Sequence, residues 1–263
     1  MQCASIDVIR TRTRREAVGL LRATRAADVP GRTVLGALYA GGGTGLHAPW
    51  PSPGGLLAAF LPRDNGWTSL DWRRVLIISA WDDAGAADGY EAQHPYPRGA
   101  EHWRVRMRPV FVTGAVRGVN PFGELRATRG TEHEPGLVLT WADVPPRFQP
   151  RFFRHSFRSI DTQHRHRGLL ASFGSAYVRA GNFRGFTVSC WRDLASMVDW
   201  AYRDEVHREA MAWFESFDEE LRSRAWFGRF VVERSEGTIA GRDPFARLTG
   251  RRDPGPQAVP AGR

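Results

Sequence analysis

Val75-Leu-Ile-Ile-Ser-Ala-Trp-Asp-Asp83 and Phe186-Thr-Val-Ser-Cys-Trp-Arg-Asp193 are the stretches whose reading decides the fold. Each is an apolar, β-favouring run that closes on Trp-x-Asp, and the second stands 110 positions after the first. Such a run ahead of a helix-competent stretch reads as a strand feeding a helix. The aspartate then accepts from the free N–H groups of the first helical turn. Helix capping, rather than catalysis, is the role expected of Asp83 and Asp193.

Working outward from each anchor gives the same element order twice. Before and after the first, strands are expected at Ser5–Ile9, Thr33–Ala40, Trp72–Trp81 and His102–Gly114, with helices at Arg14–Ala27 and Ala84–Gln93. Around the second, strands are expected at Leu137–Trp141, Leu169–Tyr177, Phe183–Trp191 and Trp226–Glu233. The helices there are Arg147–Ile160 and one long helix, Leu194–Phe214. Each half is β-α-β-β-α-β, the ferredoxin-like unit. One unit leaves a sheet face without cover, and two units can cover each other. The fold expected is α+β: two tandem ferredoxin-like repeats, residues 1–130 and 131–236, packed sheet to sheet as a pseudo-dimeric α/β barrel. Residues 237–263 read as a disordered basic tail, poor in bulky apolar side chains.

The 263 residues carry a formal net charge of +9, and all 37 basic residues are arginine. A complete lack of lysine points to codon bias rather than selection for phosphate binding, which uses both residues. The charge is therefore no argument for a nucleic-acid partner. Cys3 and Cys190 are too far apart for metal or redox spacing, which fits a reducing compartment. No apolar run approaches the roughly 20 residues of a spanning helix, and the first residues do not form a signal peptide. A cytoplasmic protein is expected.

Several patterns invite chemistry and are answered by simpler readings. Ala40-Gly-Gly-Gly-Thr-Gly45 follows a strand, but no lysine follows, and Pro49, Pro51 and Pro53 block the helix that a phosphate loop needs. The arginines between 147 and 167 are interleaved with Phe153, Phe157 and Ile160, which share a helical face. This is expected to be an outer helix with Phe inward and Arg in solvent, with peripheral membrane contact as the alternative. His155, His164 and His166 lack the acidic or Cys ligands that would make a zinc site. His207 differs, since Trp200, Met211 and Phe214 stand at offsets of seven, four and seven on the same expected helix face. An imidazole against an apolar wall suits an axial ligand of haem iron, and equally a half-buried structural histidine. No Cys-x-x-Cys-His attachment sequence, nucleophile elbow or dinucleotide fingerprint is present.

The ordered set of motifs resembles the spheroidene monooxygenase family of carotenoid-oxidising enzymes, from about Arg32 to Val232. The set is Gly42-Gly-Thr-Gly45 with Pro49 and Pro51, Trp81-Asp82, Trp103-Arg-Val105, Arg108-Pro109, Gly114, Gly118 and Pro121-Phe122. It continues with Phe186-Thr-Val-Ser-Cys-Trp191, Asp193, Met197, His207-Arg-Glu-Ala-Met211, Trp226-Phe227 and Arg229-Phe230. The resemblance implies a dimeric-α/β-barrel architecture and a haem-dependent, dioxygen-using monooxygenase acting on a lipophilic polyene. Two hydroxylations at one carbon and loss of water would give a ketone. His207 is the axial iron ligand it implies, walled by Trp200, Met211 and Phe214. Electrons would come from an external reductase or ferredoxin, since the chain carries no flavin or iron–sulfur motif. Two departures stand out: prolines within Tyr90–Arg98 and the strongly basic segment 147–167. Two other classes share the cavity: a cofactor-free barrel monooxygenase of quinol-like substrates, and a non-catalytic barrel that binds a hydrophobic ligand.

Overall fold

Both Trp-x-Asp aspartates cap helices in the computed structural model, which describes residues 2–41, 70–94, 101–116, 118–179, 182–216, 223–239, 241–246 and 248. The first half runs β1 (Cys3–Arg10), α1 (Arg14–Ala26), β2 (Arg32–Gly41), β3 (Leu70–Trp81), α2 (Ala84–Gln93) and β4 (Glu101–Val116). The second runs β5 (Gly136–Val144), α3 (Gln149–Arg165), β6 (Leu169–Arg179), β7 (Asn182–Trp191), α4 (Leu194–Arg203), α5 (Glu205–Glu215) and β8 (Arg224–Gly237). Asp83 Oδ1 accepts from Ala86 N–H at 2.8 Å, and Asp193 Oδ1 from Ser196 N–H at 2.6 Å.

The eight strands close into one antiparallel barrel in the order β1-β3-β2-β6-β7-β5-β8-β4. Within it the first half reads β4-β1-β3-β2 and the second β8-β5-β7-β6, the same order twice, as the duplication requires. Trp81 and Trp191 occupy matching ends of the matching strands β3 and β7. Each indole N–H donates to a serine hydroxyl, Trp81 to Ser5 at 2.9 Å and Trp191 to Ser189 at 2.8 Å. Period-two alternation sends Ile6, Val8, Leu76, Ile78, Val105, Leu139, Phe173, Val188 and Phe230 into the barrel as one core. The alternate residues face outward beneath the helices.

Two expectations are corrected here. The helix expected over 194–214 is two helices, because Asp204 leaves helical geometry (φ −68°, ψ 120°) and starts a new one. Its carboxylate accepts from His207 N–H at 2.8 Å, so a side chain that competes for backbone donors wins mid-run. The segment after residue 237 is also not wholly a tail. Ile239, Phe245 and Ala246 are buried, and Phe245 stacks on Trp103 at the barrel end. Asp243 Oδ1 holds this segment by accepting from Trp103 Nε1, Ser235 Oγ and Phe245 N–H. A lone phenylalanine among Gly, Pro and Arg has no periodicity to announce it. The expected glycine loop at 40–45 lies almost wholly outside the described residues, as do positions 95–98 of the proline-broken stretch. The arginine-rich helix is as expected, with Phe153 buried and Arg151, Arg154 and Arg158 exposed.

The cap at Asp193 has a measurable consequence. Burial pushes its carboxyl up, but hydrogen bonds from Ser196 and Arg192 outweigh this and hold it below the ordinary carboxylate range. A depressed carboxylate stabilises the fold above its unfolded pKa and loses that contribution as pH falls through the folded value. Asp193→Ala is expected to cost about 1 kcal/mol at neutral pH. Urea titrations at stepped pH should show wild type and variant converging in strong acid.

Candidate functional site

The outward face of the sheet differs between the halves at one place. In the first half Ile77 of β3 lies between Asp7 of β1 and Ala37 of β2, and all three are buried. Ile9, Ala37, Val75 and Ile77 form a cluster with Ala17 and Leu21 of α1, which seals that face. The register of the second half puts Thr187 of β7 at the place of Ile77, between Thr140 of β5 and Gly174 of β6. Thr187 is exposed, and Thr140 and Gly174 are half-buried. Val75 is likewise matched by Gly185, which is buried.

The helix equivalent to α1 is α3. Among the described residues no apolar cluster contains a side chain of α3, although its face carries Phe153 and Phe157, stacked at 5.7 Å. Polar contacts bridge helix and sheet, from Ser172 Oγ to Gln163 Oε1 at 3.4 Å and from Gln149 Nε2 to the Val144 carbonyl at 3.0 Å. Ser159 Oγ on the same helix is buried with no hydrogen-bond partner. At this place the second half carries an exposed threonine with small neighbours, where the first half carries a sealed apolar cluster.

His207 sits in the first turn of α5, and that helix rests on α3 and α4 rather than on a strand among the described residues. Its Nδ1 lies 2.8 Å from the carbonyl of Ala201, the last turn of α4. That carbonyl can only accept, so Nδ1 carries the proton and Nε2 keeps its lone pair. Nε2 has no partner among the described residues. Burial pushes the imidazole pKa down, against the opposing pull of the Ala201 carbonyl and Asp204, so the ring is neutral at pH 7. The ring packs on Trp200, centroids 4.2 Å apart. Trp200 Nε1 donates to Thr162 Oγ1 of α3 at 3.2 Å, and Thr162 donates to Asp204 at 3.0 Å. Three helices therefore fix one imidazole. A neutral, oriented ring with a spare Nε2 and a backbone acceptor behind it fits an axial ligand of haem.

The other expected wall residues are brought together only in part. Trp200 meets His207 across the α4–α5 break, whereas Met211 and Phe214 share the α5 face and are half-buried, and Phe214 makes no ring contact with the imidazole. His155 instead stacks on Trp213, at 4.8 Å, and burial lowers its pKa. Among the described residues no cluster of His, Cys, Asp or Glu could hold a metal ion. A separate groove of about 1200 Å³ lies along α4 and β4, and His207 does not line it. Sequence reasoning missed Thr187, Thr140 and Gly174. The signal was available in the repeat, since aligning Trp81 with Trp191 sets Ile77 against Thr187.

No family model matches the chain. It is similar to spheroidene monooxygenase of Rhodobacter capsulatus, 26% identical over 197 residues, which cover 71% of this chain and 76% of that protein. The resemblance expected from the ordered motifs holds. Among solved structures it is similar to an aldoxime dehydratase crystallised with butyraldoxime, with TM-score 0.54 and 10% identity over 88% of this chain and 79% of that one. A second aldoxime dehydratase structure gives TM-score 0.50 and 11% identity, covering 88% and 81%. At such identities these structures show the fold. Among the described residues no helix is long and apolar enough to cross a membrane.

Proposed function

We propose that the chain is a haem-dependent monooxygenase that hydroxylates a lipophilic polyene such as a carotenoid, in which His207 would hold the haem iron. Its enzyme class follows from the similarity to spheroidene monooxygenase. The single observation that supports the cofactor is the state of His207: neutral, oriented through Nδ1, and unpartnered at Nε2 among the described residues. Haem, when bound, supplies the activation of dioxygen.

The chain's own residues do the rest. The Ala201 carbonyl holds the Nδ1 proton and so keeps Nε2 as the donor atom, while Trp200 fixes the ring plane. Phe153 and Phe157 give the helical wall an apolar surface suited to a polyene, and the small floor at Thr140, Gly174 and Thr187 gives it room. Thr187 is an exposed hydroxyl on that floor, able to hydrogen-bond an oxygen of the substrate or its product. Monooxygenation puts one atom of dioxygen into the substrate and reduces the other to water, which takes two electrons and two protons. The electrons come from an external reductase or ferredoxin. Two rounds at one carbon followed by loss of water give a ketone. A polyene is collected from lipid, and the exposed Arg151, Arg154, Arg165 and Arg167 face of α3 and its C-terminal end is the surface suited to anionic headgroups.

Protein produced with haem precursor, or reconstituted with haem, is expected to show a Soret band and to hydroxylate an acyclic carotenoid when supplied with dioxygen and a reductant. Thr187→Phe should abolish haem uptake or substrate turnover with almost no change in thermal midpoint, because an exposed threonine loses little packing. Wild-type protein that takes up no haem yet oxidises a quinol-like substrate would replace this reading with the cofactor-free one. Absence of any oxidation would leave a binding barrel.

A further inference from the structure

We propose that the groove along α4 and β4 is a second binding site, which takes an amphipathic anion through Arg229. Its volume is about 1200 Å³, and Val110, Phe111, Leu194, Ala195 and Val198 give it an apolar lining. Arg229 reaches it from the outward face of β8. Its guanidinium lies 4.6 Å from the ring of Phe111, 5.6 Å from Phe227 and 5.9 Å from Tyr202. One Nη donates to Tyr202 OH at 3.0 Å, and Nε is buried with no partner among the described residues.

Three other barrel arginines face carboxylates: Arg104 meets Asp7, Arg106 meets Glu91, and Arg184 meets Asp143. Arg229 has no carboxylate within 4 Å among the described residues. Three rings hold its plane and remove much of its water without neutralising it, which is how a guanidinium is prepared for an oxyanion. The charges around the groove leave this cation uncancelled. Asp193 pairs with Arg192, and Asp199 with Arg203 and His166, leaving Glu132 as the remaining acid and Arg167 as an exposed cation. Arg165 is paired with Asp161, and His133 stands at the rim. The first N–H groups of α4 are already used, by Glu134, Glu132 and Asp193, so the anion is held by the side chain and not by the helix end. A ligand that fits has one carboxylate or phosphate group and a short hydrocarbon body.

The test is calorimetric titration of the full chain, without added haem, using decanoate, decyl phosphate and decanol below their aggregation limits. The outcome is thus independent of the function proposed above. At least one anion should bind, and decanol at least tenfold more weakly; which anion binds better identifies the head group. Arg229→Gln should weaken anion binding at least tenfold. Thr128→Trp, placed on the exposed wall of the groove, should do the same with Arg229 intact, and so serves even if the arginine variant fails to fold. Equal binding of decanol, wild-type affinity in folded variants, or no anion binding by wild type would overturn the site.

Discussion

Phe245→Ala is expected to lower stability by about 3–5 kcal/mol, the range for deleting a fully buried aromatic side chain. Phe245 is completely buried, stacks on Trp103 and belongs to the barrel's inner core, although it lies in a stretch with almost no other large apolar residue. Its loss opens a cavity at the barrel end that backbone on one side only can collapse into. Asp243, which ties Trp103, Ser235 and the Phe245 amide together, would keep the segment in place, so the cost is mainly that of the missing ring. Equilibrium urea unfolding followed by tryptophan fluorescence measures it. A loss below about 1 kcal/mol would show that the segment docks on a core already complete without it. Ending the chain at Gly237 should be at least as damaging.

Haem affinity of His207→Ala is expected to fall by more than about a hundredfold, above the range for losing a group that merely orients a ligand. The fold should survive, because Trp200 keeps its bond to Thr162 and Asp204 keeps capping α5 through its contact with a backbone N–H. Added imidazole should restore part of the spectrum by filling the vacated space. The pH dependence has a definite sign. Protonation competes with iron for Nε2, and burial has pushed this pKa below the ordinary histidine value of about 6.5. Wild-type affinity should therefore hold through neutral pH and fall only on the acid side of that value. A purely structural histidine predicts the reverse pattern, with lowered stability and unchanged haem binding.

The two Trp-x-Asp strands carried the architecture because local signals agreed at every level there: β-rich run, aspartate cap, helix. Asp204 defeated the same logic. Nothing in a helical period distinguishes an aspartate pointing to solvent from one that captures His207 N–H and breaks the run, so the imidazole was expected on a helix that in fact ends at Arg203. Its contact with Trp200 was nonetheless legible as an offset of seven, because the break leaves the two residues adjacent. The exposed Thr187 was hidden for another reason. It is a difference between two similar patterns, and period alone registers only that a strand alternates. Arg229 had no local signal at all, since its clamp comes from β4, α4 and β8 and exists only once they meet.

Closure of the ring by β8 against both β4 and β5 sets a timetable on the ribosome. The nascent chain completes β4 at Val116, and the four strands of the first half can then pair. Their inner side chains, Ile6, Val8, Leu76, Ile78 and Val105, must wait for the second half to be made. At about 5–20 residues per second, the stretch from Val116 to Phe245 takes on the order of ten seconds to translate. A half-made sheet in that interval would have two unpaired edges and one apolar face, the kind of surface that holdase chaperones shelter. Slower translation of the later codons would lengthen that exposure, and a strain lacking such a holdase should yield more of this protein as inclusion bodies than as barrel.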